Sequence, residues 1–312
     1  MGGAPSGREI HSVAEMVSGY VADGTARLSP GSIDFYRQGQ AALPAGFSAR
    51  PISAVTPIVL NNVYAEMRQT GASEHKIQKV HRLLSASFNR AVRYGWIGAN
   101  PCMQATKPKT SSSEIEPPTP DQVRDVIADA EGVNADLAVC RLAAATGARR
   151  SELVALKWAD FKGARLTIRR SLVEAEDRLF ERPTKTGSKG HRTIAVDAAT
   201  VAAVAALRER QAAGADEHGL PAPEYVFSFD GGLSPWRPVY LTLAFGHLSA
   251  HAFRLHDLRH YHATQLLAAG VPVPTVSKRL GHTSTAVTLD VYGHRLPEQD
   301  REAANVIGRL LD

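Results

Sequence analysis

The chain has 312 residues, 44% of them hydrophobic and 21% charged, a balance that suits about two globular domains and excludes a largely disordered polypeptide. No apolar run approaches the ~18 residues that would span a bilayer, and the opening MGGAPSGREI lacks the apolar stretch of a secretion signal, so a soluble intracellular protein is expected. The formal charge of +5 is unevenly placed: residues 1–107 carry 11 Lys and Arg against 6 Asp and Glu, whereas residues 108–312 carry 25 of each, which points to a polyanion-binding unit joined to something more specific.

In chain order, the first third reads as helices. The clearest runs from Glu74 to Tyr94, where Ile77, Val80, Leu84, Phe88 and Ala91 recur at helical spacing as a core stripe. Lys76, Lys79, Arg82, Asn89, Arg90 and Arg93 lie largely off that stripe. They form either a solvated basic face or a row of phosphate contacts. Gly95 ends the helix, and Asn100-Pro101 marks a turn. The stretch from Thr106 to Pro120, TKPKTSSSEIEPPTP, is rich in Pro, Ser and Thr and has no apolar period. It divides the chain into a helical domain over 1–107, a linker over 108–118 and a second domain over 119–312.

Thr119 or Asp121 caps a helix reaching about Ala130, and another covers about Ala135 to Thr146. The period then changes. RLTIRR (Arg165 to Arg170), the segment Arg178 to Arg182 and HRTIAV (His191 to Val196) predict a three-stranded antiparallel sheet, with the turn TKTGSKG before the last strand. Helix resumes from Asp197 to Ala213 and again from Leu241 onward, broken at Gly270, Gly281 and Gly293. The fold class expected is mainly α with one small antiparallel sheet.

The chemistry-bearing residues are cations and imidazoles. TGARRSE places Arg149 after Gly147, with Glu152 three residues on and able to orient a guanidinium. HDLRH puts His256 and Arg259 on one helical face, with His260 and His262 adding imidazoles. LGHTSTAVTLDVYGH places His282 after a glycine turn and Tyr292 ten residues later. There is no complete phosphate-binding loop, nucleophile elbow or His-Glu-x-x-His. Zinc shared by His256 and His260 would need a third ligand, and Asp257 is a poor substitute for the base such motifs carry. With only Cys102 and Cys140 available, the cysteines read as free thiols, and neither metal nor cofactor is expected.

Taken together, over about residues 117–312, these blocks resemble the tyrosine recombinases of the phage integrase family. The resemblance implies catalytic roles for Arg149, His256, Arg259 and His282, with Tyr292 as the nucleophile and Glu152 in support. PTKTGSKGHRTIAV resembles the family's β-hairpin and implies Lys185 as the catalytic lysine, with Lys189 as the substitute. The implied reaction is site-specific cleavage and rejoining of DNA through a covalent 3′-phosphotyrosine. The residues fit it: guanidinium groups suit the charge that develops on a phosphodiester under attack, and a phenol near pKa 10 must lose its proton to attack. His256 is the expected base or orienting partner.

The resemblance further implies a two-domain clamp on double-stranded attachment sites, using Lys76, Lys79, Arg82, Arg90 and Arg93, in the bacterial cytoplasm or nucleoid. It also implies a homotetramer on paired sites, an accessory directionality or host factor, and no membrane. The apolar stripe Ala303, Val306, Ile307, Leu310 and Leu311 is expected to dock on a neighbouring protomer. The stretch before the linker is sized for one core-binding domain, so an arm-binding module is either naturally absent or trimmed. Two other readings stay open at this level: a type IB topoisomerase that relaxes DNA without choosing a sequence, and a DNA-binding regulator that keeps the fold without the chemistry.

Overall fold

A computed structural model describes residues 11–109, 116–130, 134–175, 177–184 and 187–293, together with 305, 307, 309 and 310, side chains excepted at 134–137, 188 and 189. The chain divides into two compact units, Met1–Ser113 with Ala175–Asp177, and Glu114–Glu174 with Arg178–Asp312. Each is taken by itself.

The first unit is helical: α1 (Val13–Gly24), α2 (Pro30–Ala41), the single turn α3 (Ala45–Ser48), α4 (Pro57–Gln69) and α5 (Glu74–Arg93). Its helix starts are written in the sequence. Ser12 and Glu15 form a reciprocal capping box at α1, and Ser29, Thr56 and Ser73 cap α2, α4 and α5, each hydroxyl satisfying an amide that the first turn leaves open. The stripe Ile77, Val80, Leu84, Phe88 and Ala91 is fully buried. It packs with Met16, Leu60 and Tyr64 into one core, and Tyr64 keeps its hydroxyl satisfied on His81 Nδ1 at 2.9 Å.

The second unit starts with α6 (Pro120–Asp129), where Thr119 and Gln122 make a capping box and Pro120 opens the first turn. It continues through α7 (Asn134–Thr146) and the short α8 (Arg150–Leu153). The sheet differs from expectation. A three-stranded antiparallel sheet exists, but it is built from β1 (Phe161–Lys162), β2 (Arg165–Ile168) and β5 (Arg192–Ala195), in that order. The strand β4 (Arg178–Pro183) pairs instead with β3 (Arg170–Ala175) in a separate two-stranded ribbon. The reason is register: Leu166 faces Ile194 and Ile168 faces Arg192, so the two strands with buried alternate positions join each other. The residues of β4 are exposed or half-buried throughout and offer the core nothing to hold.

Helices α9 (Ala198–Glu217), α10 (Pro238–Leu248), α11 (Asp257–Ala268), α12 (Val273–Leu280) and α13 (Thr285–Tyr292) complete the unit. Most of its core lies around Leu142, Leu153, Leu166, Ile194, Phe227 and Leu258. A smaller cluster joins Ala263, Leu267, Val276, Leu280 and the ring of Tyr292, so the last helices carry their own apolar seam. Among the described residues no helix is long and apolar enough to cross a membrane.

Candidate active site

The site is assembled where α7 ends. Gly147 turns the chain with φ +60, and a Cβ there would lie 2.7 Å from Leu280 and 3.0 Å from the His262 ring. Only glycine therefore permits both the left-handed backbone and the close approach of α11 and α12. Two residues later Arg149 caps α8, and its amide donates to Glu152 Oε2 at 2.9 Å while its Nη1 donates to Oε1 at 3.0 Å. Glu152 is 1% exposed and has a second partner: Arg192 of β5 donates from Nη2 to Oε2 at 2.7 Å and from Nη1 to Oε1 at 3.3 Å. One buried carboxylate thus aligns two guanidinium groups by paired, charge-assisted bonds. Burial alone would raise the Glu152 pKa, but the hydrogen bond and charge of Arg192, then those of Arg149, hold it below the ordinary carboxylate value.

Arg259 enters from α11. Its Nη1 donates to the Gly147 carbonyl at 2.5 Å and its Nη2 to the Leu280 carbonyl at 2.7 Å, fastening the ends of α7 and α12. Among the described residues no carboxylate pairs with it. Burial, then the neighbouring Arg149 charge, pushes its pKa down to about 9, so it stays cationic at neutral pH. Beside it, the buried His262 bonds the Ala144 carbonyl through Nδ1 at 2.9 Å and accepts from Arg279 Nε at 3.4 Å, which places its proton on Nδ1. His262 is a strut.

Gly281, left-handed at φ +65, closes α12 and presents His282. That ring bonds Thr288 Oγ1 through Nδ1 at 2.8 Å. Burial, followed by the charges of Arg259, Arg149 and Arg192, lowers its pKa to about 4. His256 remains accessible at the surface. Even so, desolvation by the surrounding protein, then His260 and Arg259, also hold it at about 4. Both rings are therefore neutral at pH 7. Tyr292 ends α13, 4% exposed. Its hydroxyl shares a 2.9 Å hydrogen bond with His260 Nδ1. Burial raises its pKa, and the charge of Arg259 opposes that rise.

Residues 119–299 match the family described as the phage integrase family. That span is more than half of the chain. The chain belongs to the phage integrase family. A tyrosine recombinase XerC-like protein of Caldanaerobacter subterraneus subsp. tengcongensis is 27% identical over 284 residues, covering 83% of this chain and 72% of that protein. The fold is similar to that of the Tn1549 transposon integrase solved in complex with a circular intermediate DNA, with a TM-score of 0.79 at 19% identity over 97% of this chain and all of that one. It is also similar to the lambda integrase tetramer bound to a Holliday junction, at a TM-score of 0.68 and 17% identity, covering 94% and 80% of the two chains. The protein is a site-specific DNA recombinase of the integrase type.

Within this integrase, Arg149, Glu152, His256, Arg259, His282 and Tyr292 come together around one buried charge cluster, each entering the electrostatics of others. Lys185 lies outside the described residues, as does the side chain of Lys189. The partner of Tyr292 differs from expectation: the phenol bonds His260, and His256 stands behind it with the two imidazole rings 5.1 Å apart and perpendicular. Periodicity puts His256 and His260 on one helical face and does not decide which of them meets the phenol.

Arg192 belongs to the site without lying in any of the motif blocks around Arg149, Arg259 and Tyr292, although its signal is plain. In HRTIAV the two-residue alternation puts Arg192 with Ile194 and Val196 on the buried face, and a cation there must have a built-in partner.

In the first unit, Lys76, Arg82 and Arg93 are exposed on α5, and Lys79 is half-buried, bonding Gln38 at 2.6 Å. Arg90 departs from that row. It is 7% exposed, bonds Asp23 at 2.5 Å and lies over the rings of Tyr94 and Trp96 at 4.7 and 5.4 Å. It is a packing residue, because its place one turn below the apolar stripe tips it inward. Of the C-terminal stripe, Ile307 and Leu310 are 57% and 77% exposed, while Ala303, Val306 and Leu311 lie outside the described residues.

Proposed function

We propose that Tyr292 attacks a phosphodiester of double-stranded DNA and that strands are exchanged through a covalent 3′-phosphotyrosine. The observation that supports this most is the Arg259 guanidinium, buried, satisfied among the described residues only by carbonyl oxygens and lying in the field of the C-terminal phenol. A cation held this way retains its charge for an incoming anion. In this reading Arg149 and Arg259 donate to the non-bridging oxygens, where charge grows as the fifth bond to phosphorus forms. His282 bonds Thr288 through Nδ1; in this reading that nitrogen accepts from the hydroxyl, and an Nε2–H is left to donate to the same phosphate. His256 lines the site beside them. Lys185 protonates the departing 5′ oxygen. The phosphotyrosine keeps the energy of the broken bond, so a new 5′ hydroxyl can displace it without ATP.

The cationic face of α5, through Lys76, Lys79, Arg82 and Arg93, contacts backbone phosphates at attachment sites. Four protomers act on two paired sites in the bacterial cytoplasm, with the C-terminal segment docking on a neighbour and an accessory factor setting direction. The residues before the linker act as the core-binding domain and residues 119–312 as the catalytic one. The decisive test is trapping on a nicked suicide substrate. The wild type accumulates a protein–DNA adduct mapping to Tyr292, whereas Tyr292→Phe shifts the same DNA in a gel yet traps nothing. An adduct on the Phe variant would overturn the assignment.

A further inference from the structure

We propose that His260 is a catalytic residue of this integrase, accepting the proton of Tyr292 as the phenol attacks. The proposal rests on the reading of Tyr292 as nucleophile and goes beyond it by naming where the proton goes. Three observations carry it. The Tyr292 hydroxyl and His260 Nδ1 lie 2.9 Å apart, the distance of a direct proton transfer. The phenol is buried in an apolar seam with Leu267, Val276 and Leu280, where an anion formed without an acceptor would be costly. The ring that one would first choose, His256, is placed behind His260 and not against the phenol.

The surroundings suit an acceptor. His260 shares α11 with His256, Asp257 and Arg259 and meets Tyr292 from α13. Asp257 is carboxylate, held by Arg254 through bonds of 2.8 to 3.2 Å, and its charge is felt at His260. A negative group one helical turn away favours the imidazolium that the transfer creates. His256, neutral in the folded protein, adds no opposing charge.

The step balances. The O–H bond of Tyr292 breaks and its proton passes to His260 Nδ1, which must be the unprotonated nitrogen beforehand. The phenolic oxygen forms its bond to phosphorus, and the bond from phosphorus to the 5′ oxygen breaks. That oxygen takes its proton from a separate donor, Lys185 in the proposed function. In rejoining, the imidazolium returns its proton to Tyr292 as the phenol leaves.

The experiment is single-turnover adduct formation on a suicide substrate, followed from pH 4.5 to 9, with DNA binding measured separately by gel shift. His260→Asn keeps an acceptor near the position of Nδ1 but has no basicity. It is expected to bind DNA as the wild type does and to form adduct about 10²-fold more slowly. Its rate should lose the acidic limb that a free-base acceptor imposes on the wild type. His260→Ala supplies the second variant, whose adduct formation should rise with added imidazole in proportion to the free base. A packing role would move neither the limb nor the response to imidazole. If His260→Asn cleaves within threefold of wild type with the same profile, or imidazole leaves His260→Ala unchanged, His260 is not the acceptor. Tyr292→Phe run alongside separates the two readings: an adduct elsewhere in the chain would sink the nucleophile, whereas loss of adduct there with normal His260 variants would sink only the present proposal.

Discussion

Arg90 in the first unit and Arg259 in the second are buried to nearly the same depth, 7% and 4% exposed, yet they meet opposite surroundings. Arg90 has a carboxylate, Asp23, and two aromatic faces. Arg259 has two carbonyl oxygens, the fields of Arg149 and Arg192, and the charge of Glu152 with no ion pair to it among the described residues. The first guanidinium has its charge matched by Asp23, although its Nε and Nη1 find no acceptor among the described residues. The second is oriented by carbonyl oxygens, and in the proposed reaction a phosphate completes it. Burial of a cation therefore does not mark a site by itself; the missing counter-charge does. Arg192 falls between them, buried like Arg259 and paired like Arg90, and its carboxylate is the one that also orients Arg149.

The comparison can be broken at several places. The largest effect is expected at Arg192. Arg192→Met strands the Glu152 carboxylate against Arg149 alone and should cost about 3–5 kcal/mol, read as a fall in the urea midpoint of the second unit. The double variant Arg192→Met/Glu152→Leu should recover much of that stability without recovering cleavage, because Arg149 then has nothing to align it. Next, Arg259→Met should slow adduct formation by about 10²–10³ while leaving the urea midpoint less affected than Arg192→Met does, since it removes a charge that has no built-in partner. A midpoint loss larger than that of Arg192→Met would mean that Arg259 is chiefly structural.

The third prediction concerns acid. The buried His262 is held at about 4 by burial, then by the Arg279 charge, against 6.5 when free. A group whose folded pKa is depressed leaves stability intact above 6.5 and withdraws it as pH falls from there to about 4, by roughly 3 kcal/mol for this ring. Denaturant titrations at pH 7 and pH 5 should show the loss, and His262→Asn should flatten that slope. The smallest effect belongs to α5. Alanine at Lys76, Arg82 or Arg93 should each reduce the slope of log binding constant against log salt by about 1, whereas Arg90→Met should leave the slope unchanged and act on stability only.

Much of this was legible in the residues, and the exceptions have physical causes. Helix starts at Ser73, Thr119 and Asp197 follow from capping chemistry that is local in sequence. The ordered blocks around Arg149, Arg259, His282 and Tyr292 marked the cluster, because each is a short motif on a single turn or helix. Pairing of β2 with β5 rather than β4 was not legible, since it depends on a register set 26 residues away, as at Thr167 and Thr193. The Arg192–Glu152 pair spans 40 residues and Tyr292–His260 spans 32. Such contacts are fixed by how helices and strands close on one another, which spacing along the chain does not encode. Arg90 was misplaced for the converse reason: a helical wheel assigns it a face, but only the neighbouring Asp23 and Trp96 decide which way its long side chain turns.

Thr288 and Tyr292 are four residues apart on α13, and both side chains point inward, one to His282 and the other to His260. This eight-residue helix is consequently an interlock. Drawing it away would withdraw the phenol and, in the same movement, free the imidazole of His282 to rotate, so the proposed machinery would be disarmed as a whole rather than left half-competent. For a DNA recombinase working as proposed, a part whose removal silences two groups at once guards against a cut made without the means to reseal it.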